Sequence, residues 1–314
     1  MKIRSISSTH FSNNRFFSLF SSFSFFYFLL SFSLSFSLSL SFPLSAQTAD
    51  SSSIRANISK AYVKSYLLDT RDIVLSPVHW KAQQWIGFAS ITTTAVLLST
   101  QDLALKQFVQ RNRTPFTNAL EKQGFERWGS GVYSLPLMGA FYLCGTLAKN
   151  ERSKRVAMLG VKAFVVSAAV VTPVKQLIHR HRPNISDDPY EIEGPFTSGT
   201  DFSSVQGMWN GFIAGKHYTS LPSGHTMTAF VLATVISTEY KDKPWVPVLA
   251  YSVAGLTGLS RMEANKHWAS DVLMGAAFGY AIGKLVCHRN NWGLTVNPTF
   301  SSQAKGLQLT LPLR

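Results

Sequence analysis

Residues 222–239 read PSGHTMTAFVLATVISTE, a small polar block that runs directly into an apolar stretch. Such a stretch predicts a helix, and the free backbone N–H groups at a helix start bind anions. Gly224 lets the backbone approach an oxyanion closely, and Ser223 adds a hydroxyl. His225 follows, where an imidazolium can protonate a leaving oxygen. Taken alone, the block fits a capped helix start with a solvated histidine equally well.

A second block, Lys175-x6-Arg182-Pro183, ends the preceding apolar stretch. Lys175 and Arg182 are two helical turns apart, which predicts that both lie on one helix face, and Pro183 then stops the helix. Two cations on one face can bind a phosphoryl group, and an arginine can donate two parallel hydrogen bonds to it. The alternative is a solvated basic helix end that the helix dipole favours.

The third block contains Ser260-Arg261, His267 and Asp271. His267 and Asp271 are four residues apart, which predicts that they share a helix face and that the carboxylate accepts the Nδ1–H of the imidazole. That bond would leave Nε2 free as a nucleophile. Arg261 is expected in the turn before this helix. The alternative is a structural histidine–aspartate pair near a helix start.

Six apolar stretches are rich in Ala, Val, Leu and Gly and lack the spacing of β-hairpins, so they predict six long helices. They span residues 84–100, 131–148, 156–174, 224–239, 245–259 and 270–287. If these helices alternate in direction, the three blocks meet at one end of a bundle. Thr114-Pro115 predicts a short accessory helix that ends near Gln123, and alternating leucines close to the C-terminus predict a small β-hairpin.

The order and spacing of the three blocks resemble the signature of the type 2 phosphatidic acid phosphatase superfamily, which also contains bacterial non-specific acid phosphatases and vanadium haloperoxidases. Every fixed position of that signature is matched. The resemblance implies an all-α fold, a six-helix bundle with short accessory helices, over residues 84–288. Around it we expect a targeting segment at 1–46, an amphipathic extension at 47–83 and a tail containing the hairpin at 289–314.

The resemblance also implies a mechanism of phosphoryl transfer. His267 attacks phosphorus and forms a phosphohistidine, Asp271 orients and stabilises it, and His225 protonates the departing alkoxide and later activates water. The oxygens of the phosphoryl group are held by a phosphate-binding set, namely Lys175, Arg182, Ser223, Gly224 and Arg261. Three cations take the place of a metal ion, so neither a metal nor a cofactor is expected. In the haloperoxidase alternative the same residues hold vanadate.

Residues 184–221 join the first two blocks, and a loop of this length is usually functional. We expect its aromatic residues Tyr190, Trp209 and Phe212 to contact the leaving group and select the substrate. The alternative is that these aromatics only pack on the bundle. Residues 102–128 mix apolar and basic residues, which suits a helix on an anionic membrane surface and a bundle-packed helix about equally.

The composition narrows the class of partner. The chain has 46% hydrophobic and 15% charged residues and a net charge of +14. This excess suits an anionic partner, and no nucleic-acid-binding motif is present. We therefore expect a metal-independent phosphatase for phosphate monoesters or diphosphates of lipids, with an anionic phospholipid or isoprenoid phosphate as substrate, such as phosphatidic acid, a prenyl diphosphate or a lipid A phosphate. The alternatives are a vanadium-dependent haloperoxidase, a non-specific soluble acid phosphatase and a binding protein with an inactive site.

Residues 1–46 predict a secretory signal peptide or an N-terminal anchor, because basic residues precede a long tract of Phe, Leu and Ser and a small-residue cleavage site. If Gln47 is exported and all six helices span the membrane, the first helix brings the chain to the cytoplasmic side, and the site lies on that side. The basic loops opposite the site predict the reverse orientation, with the site outside. We favour an exported, membrane-associated domain of the cell envelope whose site faces the non-cytoplasmic side, periplasmic in a Gram-negative cell.

Overall fold

The computed structural model describes residues 58–192 and 219–288, together with the backbone of two strands at 295–300 and 305–310. The expected targeting segment at 1–46 and the first part of the 47–83 extension lie outside these residues. The body of the described chain is helical, which confirms the predicted fold class.

The helices differ widely in length, and six of them form the body of the fold. In chain order they are α1 (Lys60–Leu75), α2 (Ala82–Ser99), α3 (Asp102–Arg111), α4 (Pro115–Ala119), α5 (Glu126–Gly129), α6 (Ser134–Leu147), α7 (Glu151–Ile178), α8 (Gly224–Glu239), α9 (Trp245–Glu263) and α10 (Ala269–His288). A 3₁₀ turn, Ser76–His79, follows α1, and a π-helical segment, Leu120–Phe125, joins α4 to α5. Each of the six predicted stretches falls on one of α2, α6, α7, α8, α9 and α10.

Polar capping residues determine where two of the helices begin. Asn150 precedes α7, and its Oδ1 accepts the Ser153 N–H at 3.1 Å, so α7 begins in a polar turn ahead of the apolar stretch. Thr114 caps α4 as predicted, because its Oγ1 accepts the Thr117 N–H at 3.1 Å. The accessory helix then continues as the π-helical segment, a form that is frequent at functional sites.

The long helices alternate in direction. Arg155, near the start of α7, pairs with Glu239 at the end of α8 at 2.9 Å. At the other end of the bundle the Ser223 N–H, at the start of α8, donates to the Asp271 backbone carbonyl in the first turn of α10 at 3.0 Å. The end of α7, the start of α8, the end of α9 and the start of α10 therefore lie together, and the three sequence blocks meet there as predicted.

Helix α10 lies directly against α8 through three glycines spaced four residues apart. A Cβ atom at Gly275 would lie 2.5 Å from the Ser223 carbonyl oxygen, one at Gly279 would lie 2.4 Å from the Met227 carbonyl oxygen, and one at Gly283 would lie 2.7 Å from a Thr234 side-chain carbon. Since no side chain fits between the two backbones, their relative position is fixed. This contact holds the second and third blocks side by side.

Helix α7 runs through the core, with Val156, Leu159 and Val166 fully buried. Helix α1 packs on it through polar contacts as well as apolar ones. The Tyr62 hydroxyl donates to the Met158 carbonyl at 2.8 Å, and Lys162 pairs with Asp69 at 2.6 Å with both side chains buried. The described part of the 47–83 extension therefore contains one α-helix bound to the bundle, followed by the 3₁₀ turn and the start of α2.

The flanks of the bundle carry many exposed apolar side chains. Among the described residues, α7 and α10 are long and apolar enough to cross a membrane, with mean hydropathies of 1.9 and 1.2. Helices α2, α6 and α9 add exposed large residues, which include Ile86, Val96, Leu97, Leu143, Leu147, Trp245, Val248 and Leu249. Exposed apolar side chains in such number are typical of a membrane or protein contact.

Near the C-terminus, β1 (Thr295–Phe300) and β2 (Lys305–Thr310) pair antiparallel, with Thr295 opposite Thr310 and Phe300 opposite Lys305. This is the region in which the alternating leucines predict a hairpin.

Candidate active site

The first block does not lie on one helix face, and this prediction is wrong. Helix α7 ends at Ile178, because His179 adopts a left-handed conformation with φ 47° and its N–H bonds the Lys175 carbonyl at 3.1 Å. Arg182 therefore lies beyond the helix, in the segment that follows the left-handed residue. The two cations meet at Thr219 instead: the Lys175 ammonium donates to its carbonyl at 2.6 Å, and the Arg182 guanidinium donates to its hydroxyl at 3.3 Å.

The second block forms the start of α8, as predicted. Ser223 is buried at the N-cap position and its hydroxyl accepts a hydrogen bond from the Thr226 hydroxyl at 2.8 Å. Gly224 is the first helical residue, and the Lys175 Cε lies 3.8 Å from the position that a Cβ there would take. The lysine side chain therefore passes close to the helix start.

His225 is enclosed by α5 on one side and by the cations on the other. A Cβ at Gly129 would lie 2.7 Å from the His225 Cβ, so only glycine permits this contact. Burial, followed by the charges of Arg261, Arg182 and Lys175 in that order, lowers the pKa of His225 to about 3. All three cations of the predicted site are thus close to this imidazole.

Arg261 lies in the last turn of α9 and not in the turn before α10, where it was expected. Its guanidinium contacts Glu121 of the π-helical segment at 3.3 Å and Glu126 at 3.6 Å. The Nε atoms of Arg261 and Arg182 are both buried, and neither has a hydrogen-bond partner among the described residues. Two guanidinium groups at this end of the bundle therefore have a donor that no described residue pairs with.

His267 precedes α10, so the helical spacing that predicts a bond to Asp271 does not apply. The His267 Nδ1 lies 2.7 Å from the Ser220 carbonyl oxygen and 3.8 Å from the Asp271 carboxylate. A carbonyl only accepts hydrogen bonds, so Nδ1 carries the proton and Nε2 keeps its lone pair. The tautomer is the predicted one, but Ser220 fixes it and not Asp271.

The Asp271 carboxylate acts on His267 through Ser220. One of its oxygens accepts the Ser220 hydroxyl at 2.5 Å and the Trp268 N–H at 2.9 Å. Burial lowers the pKa of His267 to about 3, although Asp271 opposes this shift. The imidazole is therefore uncharged at neutral pH, which is the form that a nitrogen nucleophile requires.

Four residues of the site were not predicted from the sequence. Asp102, Arg180, Ser220 and Trp268 are all buried around Asp271 and His267. Trp268 lies beneath two cations, with the Lys106 Nζ 5.3 Å and the Arg180 guanidinium carbon 5.7 Å from the ring centroid. The adjacency of Trp268 to His267 and of Arg180 to Arg182 could have drawn attention to two of them. Asp102 is far away in sequence, so only the tertiary structure reveals it.

The expected substrate-selecting residues are placed only in part. Tyr190 is 59% exposed beside the site, and Trp209 and Phe212 lie outside the described residues. Helix α3 packs on the bundle by its polar side. The Lys106 ammonium donates to the carbonyls of Pro183 and Ser186 and pairs with Asp187 at 2.7 Å.

The arrangement is suited to a tetrahedral oxyanion. Two arginines, Lys175, a helix start and two uncharged imidazoles converge on one end of the bundle, where burial and then the charge of Arg182 lower the pKa of Lys175 to about 7. Within 58–192 and 219–288, no group of three or more histidine, cysteine, aspartate or glutamate side chains is arranged to hold a metal ion.

The part of the chain that contains this site is similar to known proteins. Residues 156–293 match the family model described as PAP2 superfamily. A "Lipid A 1-phosphatase" from Porphyromonas gingivalis is 53% identical over 72 residues, which are 23% of this chain and 16% of that protein. A "Probable diacylglycerol pyrophosphate phosphatase 1" from Schizosaccharomyces pombe is 30% identical over 160 residues, 46% of this chain and 57% of that protein.

Among solved structures, a transmembrane PAP2 type phosphatidylglycerolphosphate phosphatase from Bacillus subtilis matches 64% of this chain and 94% of its own, with 22% identity and a TM-score of 0.45. The chain spans less than two thirds of the two curated relatives, since it covers 16% of one and 57% of the other. The matched residues contain all three sequence blocks. Through residues 156–293, the chain is similar to the PAP2 superfamily.

Proposed function

We propose that this chain is a phosphatase that hydrolyses phosphate monoesters or diphosphates of lipids through a phosphohistidine, without a metal ion. The observation that carries the proposal is that the buried Nε atoms of Arg182 and Arg261 have no hydrogen-bond partner within residues 58–192 and 219–288. An unpaired buried donor costs about 1–3 kcal/mol, and more when it is charged. A phosphoryl group between the two guanidinium groups would accept from both and would also receive the charge of Lys175.

The first step transfers the phosphoryl group to the protein. The free Nε2 lone pair of His267 forms a bond to phosphorus while the bond from phosphorus to the leaving oxygen breaks. His225 donates a proton to that oxygen. His225 is uncharged at neutral pH, and the charge of a bound phosphate dianion offsets the surrounding cations and favours its protonation. Substrate binding thus prepares the acid.

The second step releases phosphate. His225, now neutral, accepts a proton from water while the water oxygen bonds to phosphorus and the phosphorus–Nε2 bond of His267 breaks. The products are inorganic phosphate and a protein with protonated His225, which returns its proton to solvent when phosphate leaves, so that the original protein is restored. Charge on the equatorial oxygens is stabilised throughout by Lys175, Arg182, Arg261, the hydroxyl of Ser223 and the N–H of Gly224, which act as preorganised donors.

A lipid substrate is supported by the flanks of the bundle. Apolar side chains are exposed on α2, α6 and α9, and two further helices are long and apolar enough to cross a membrane. A phosphorylated lipid could place its head group at the cationic end while its chains remain beside this apolar surface. The names of the two curated relatives, a lipid A phosphatase and a diacylglycerol pyrophosphate phosphatase, agree with this class.

The substrate class is tested with the purified chain in detergent and excess EDTA. We expect release of inorganic phosphate from phosphatidic acid or farnesyl diphosphate with a kcat/KM at least tenfold above that for glucose 6-phosphate. Activity that disappears in EDTA and returns with a divalent ion would contradict the metal-independent mechanism. Bromide oxidation by peroxide after vanadate loading, without any phosphate release, would favour the haloperoxidase alternative.

We further propose that the chain is exported, lies at the membrane of the cell envelope and has its site on the non-cytoplasmic side. In a cysteine-free background (Cys144→Ser, Cys287→Ser), Asn184→Cys probes the site end and Lys241→Cys the opposite end. We expect a membrane-impermeant maleimide to label the Asn184→Cys protein in intact spheroplasts. Labelling of this protein only after lysis would place the site in the cytoplasm, and the Lys241→Cys protein reports whether the opposite end is shielded.

A further inference from the structure

Arg180 lies at the centre of a buried network next to the candidate nucleophile. Its Nε donates to the Pro189 carbonyl at 2.9 Å. One terminal nitrogen donates to the Asp271 carboxylate at 2.6 Å and to the Ser270 hydroxyl at 2.8 Å, and the other donates to Asp102 at 2.8 Å. All three guanidinium nitrogens therefore have partners within the protein, whereas the Nε atoms of Arg182 and Arg261 have none among the described residues.

The charges of the network are arranged in a row. Asp102 and Asp271 are almost fully buried, at 1% and 0% exposure, and the single guanidinium of Arg180 lies between them. Asp102 also accepts the Ser270 backbone N–H at 3.0 Å and the Ser270 hydroxyl. Buried carboxylates need such partners, so each member of the row fixes its neighbour.

The row continues to His267. The Asp271 oxygen that does not contact Arg180 accepts the Ser220 hydroxyl, and the Ser220 carbonyl accepts the His267 Nδ1–H at 2.7 Å. Arg180 also holds Ser220 directly, since its backbone carbonyl accepts the Ser220 N–H at 3.1 Å. Two routes thus lead from one arginine to the carbonyl that sets the orientation of the imidazole.

We propose that Arg180 and Asp102 are positioning residues that hold Asp271 and Ser220, and through them orient the Nε2 of His267 toward the phosphoryl group. This inference rests on the proposed function. Asp102 begins α3, which precedes the residues that match the family model, so α3 is a required part of the site. The planar fork of Arg180 reaches Asp102, Ser270 and Asp271 at once, which the single ammonium of a lysine does not.

The test compares Arg180→Lys with Arg155→Lys. Arg155 is a matched control, because its side chain is also buried and pairs with a carboxylate, Glu239, but at the opposite end of the bundle. We expect Arg180→Lys to lose about 100-fold in kcat with KM changed less than threefold, since a small misplacement of a reacting group has an effect of that order. Arg155→Lys should keep the kcat of its folded fraction.

Asp102→Asn keeps the shape of the side chain and removes one charge. It therefore tests the same positioning role if Arg180→Lys does not fold. We expect kcat to fall about tenfold with KM unchanged, in line with the loss of an outer partner of a functional group. Equal kcat values for the folded fractions of both site variants and of Arg155→Lys would overturn the proposal.

If the wild-type chain hydrolyses no phosphate ester, the proposed function fails, and the positioning role is measured directly. Nitrogen-15 spectra of the histidines report which ring nitrogen of His267 carries the proton. The proposal expects a single Nδ1–H form in the wild type and a mixture of tautomers in Arg180→Lys and Asp102→Asn. The same single form in all three proteins would overturn it.

Discussion

Replacing His267 with alanine should reduce kcat for every phosphate ester by about 10⁶-fold, the size of effect that loss of a covalent nucleophile has in other hydrolases. The side chain is buried, its Nδ1 is held by Ser220, and no other described side chain offers a free imidazole nitrogen in the same position. Turnover and covalent labelling with ³²P-phosphorylated substrate, quenched in base where phosphohistidine is stable, provide the measurement. The wild type should carry label and the variant should not.

A binding measurement distinguishes loss of the reaction from loss of the phosphate-binding site. Lys175, Arg182 and Arg261 remain in His267→Ala, so the affinity for vanadate or inorganic phosphate should change by less than tenfold. His79→Ala is a suitable control, because that histidine is exposed in the 3₁₀ turn after α1. Covalent label or near-normal turnover in His267→Ala would refute the assignment of the nucleophile.

Replacing His225 with alanine should affect substrates according to their leaving group. With an alkyl phosphate, we expect a loss of about 10³-fold, because the departing alkoxide receives no proton. With p-nitrophenyl phosphate, whose anion leaves without a proton, phosphorylation of His267 should be nearly normal. Hydrolysis of the phosphohistidine still requires activated water, so one equivalent of p-nitrophenol should appear in a burst followed by slow turnover.

Rapid-quench measurement of that burst is the decisive comparison. Equal losses on both substrates, or a slow phase without a burst, would mean that His225 does not act as the proton donor. A purely structural role of His225 predicts equal losses on both substrates. Gly129 of α5 packs directly on His225, so loss of the imidazole would loosen the helix start for either substrate. Thermal unfolding of the variant measures that contribution separately.

The helices and the reacting groups followed from local pattern. The apolar stretch after His225 gives α8, and the apolar stretch at 270–287 gives α10, because helix formation depends on residues three and four apart. The choice of Lys175, Arg182, Arg261, His225 and His267 followed from residue type and order. Their convergence required only that successive helices alternate in direction.

The detailed geometry did not follow, because it depends on contacts between residues distant in sequence. Helical spacing placed Arg182 on α7 and His267 beside Asp271, yet the left-handed turn at His179 ends the first helix early and His267 precedes the last one. Where a chain leaves regular structure, periodicity no longer predicts which groups meet.

The fold class, the resemblance to a family and the chemical groups at the candidate site could be predicted from the sequence, since these rest on composition, helical period and motif order. How those groups are held depends on contacts between helices and could not be predicted. The Ser220 carbonyl fixes the tautomer of His267, and the row from Asp102 through Arg180 to Asp271 supports it. The physical reason is burial: Asp102 and Asp271 lose their water on folding, so each must find a partner, and the partner that it finds depends on which helix ends the packing brings together.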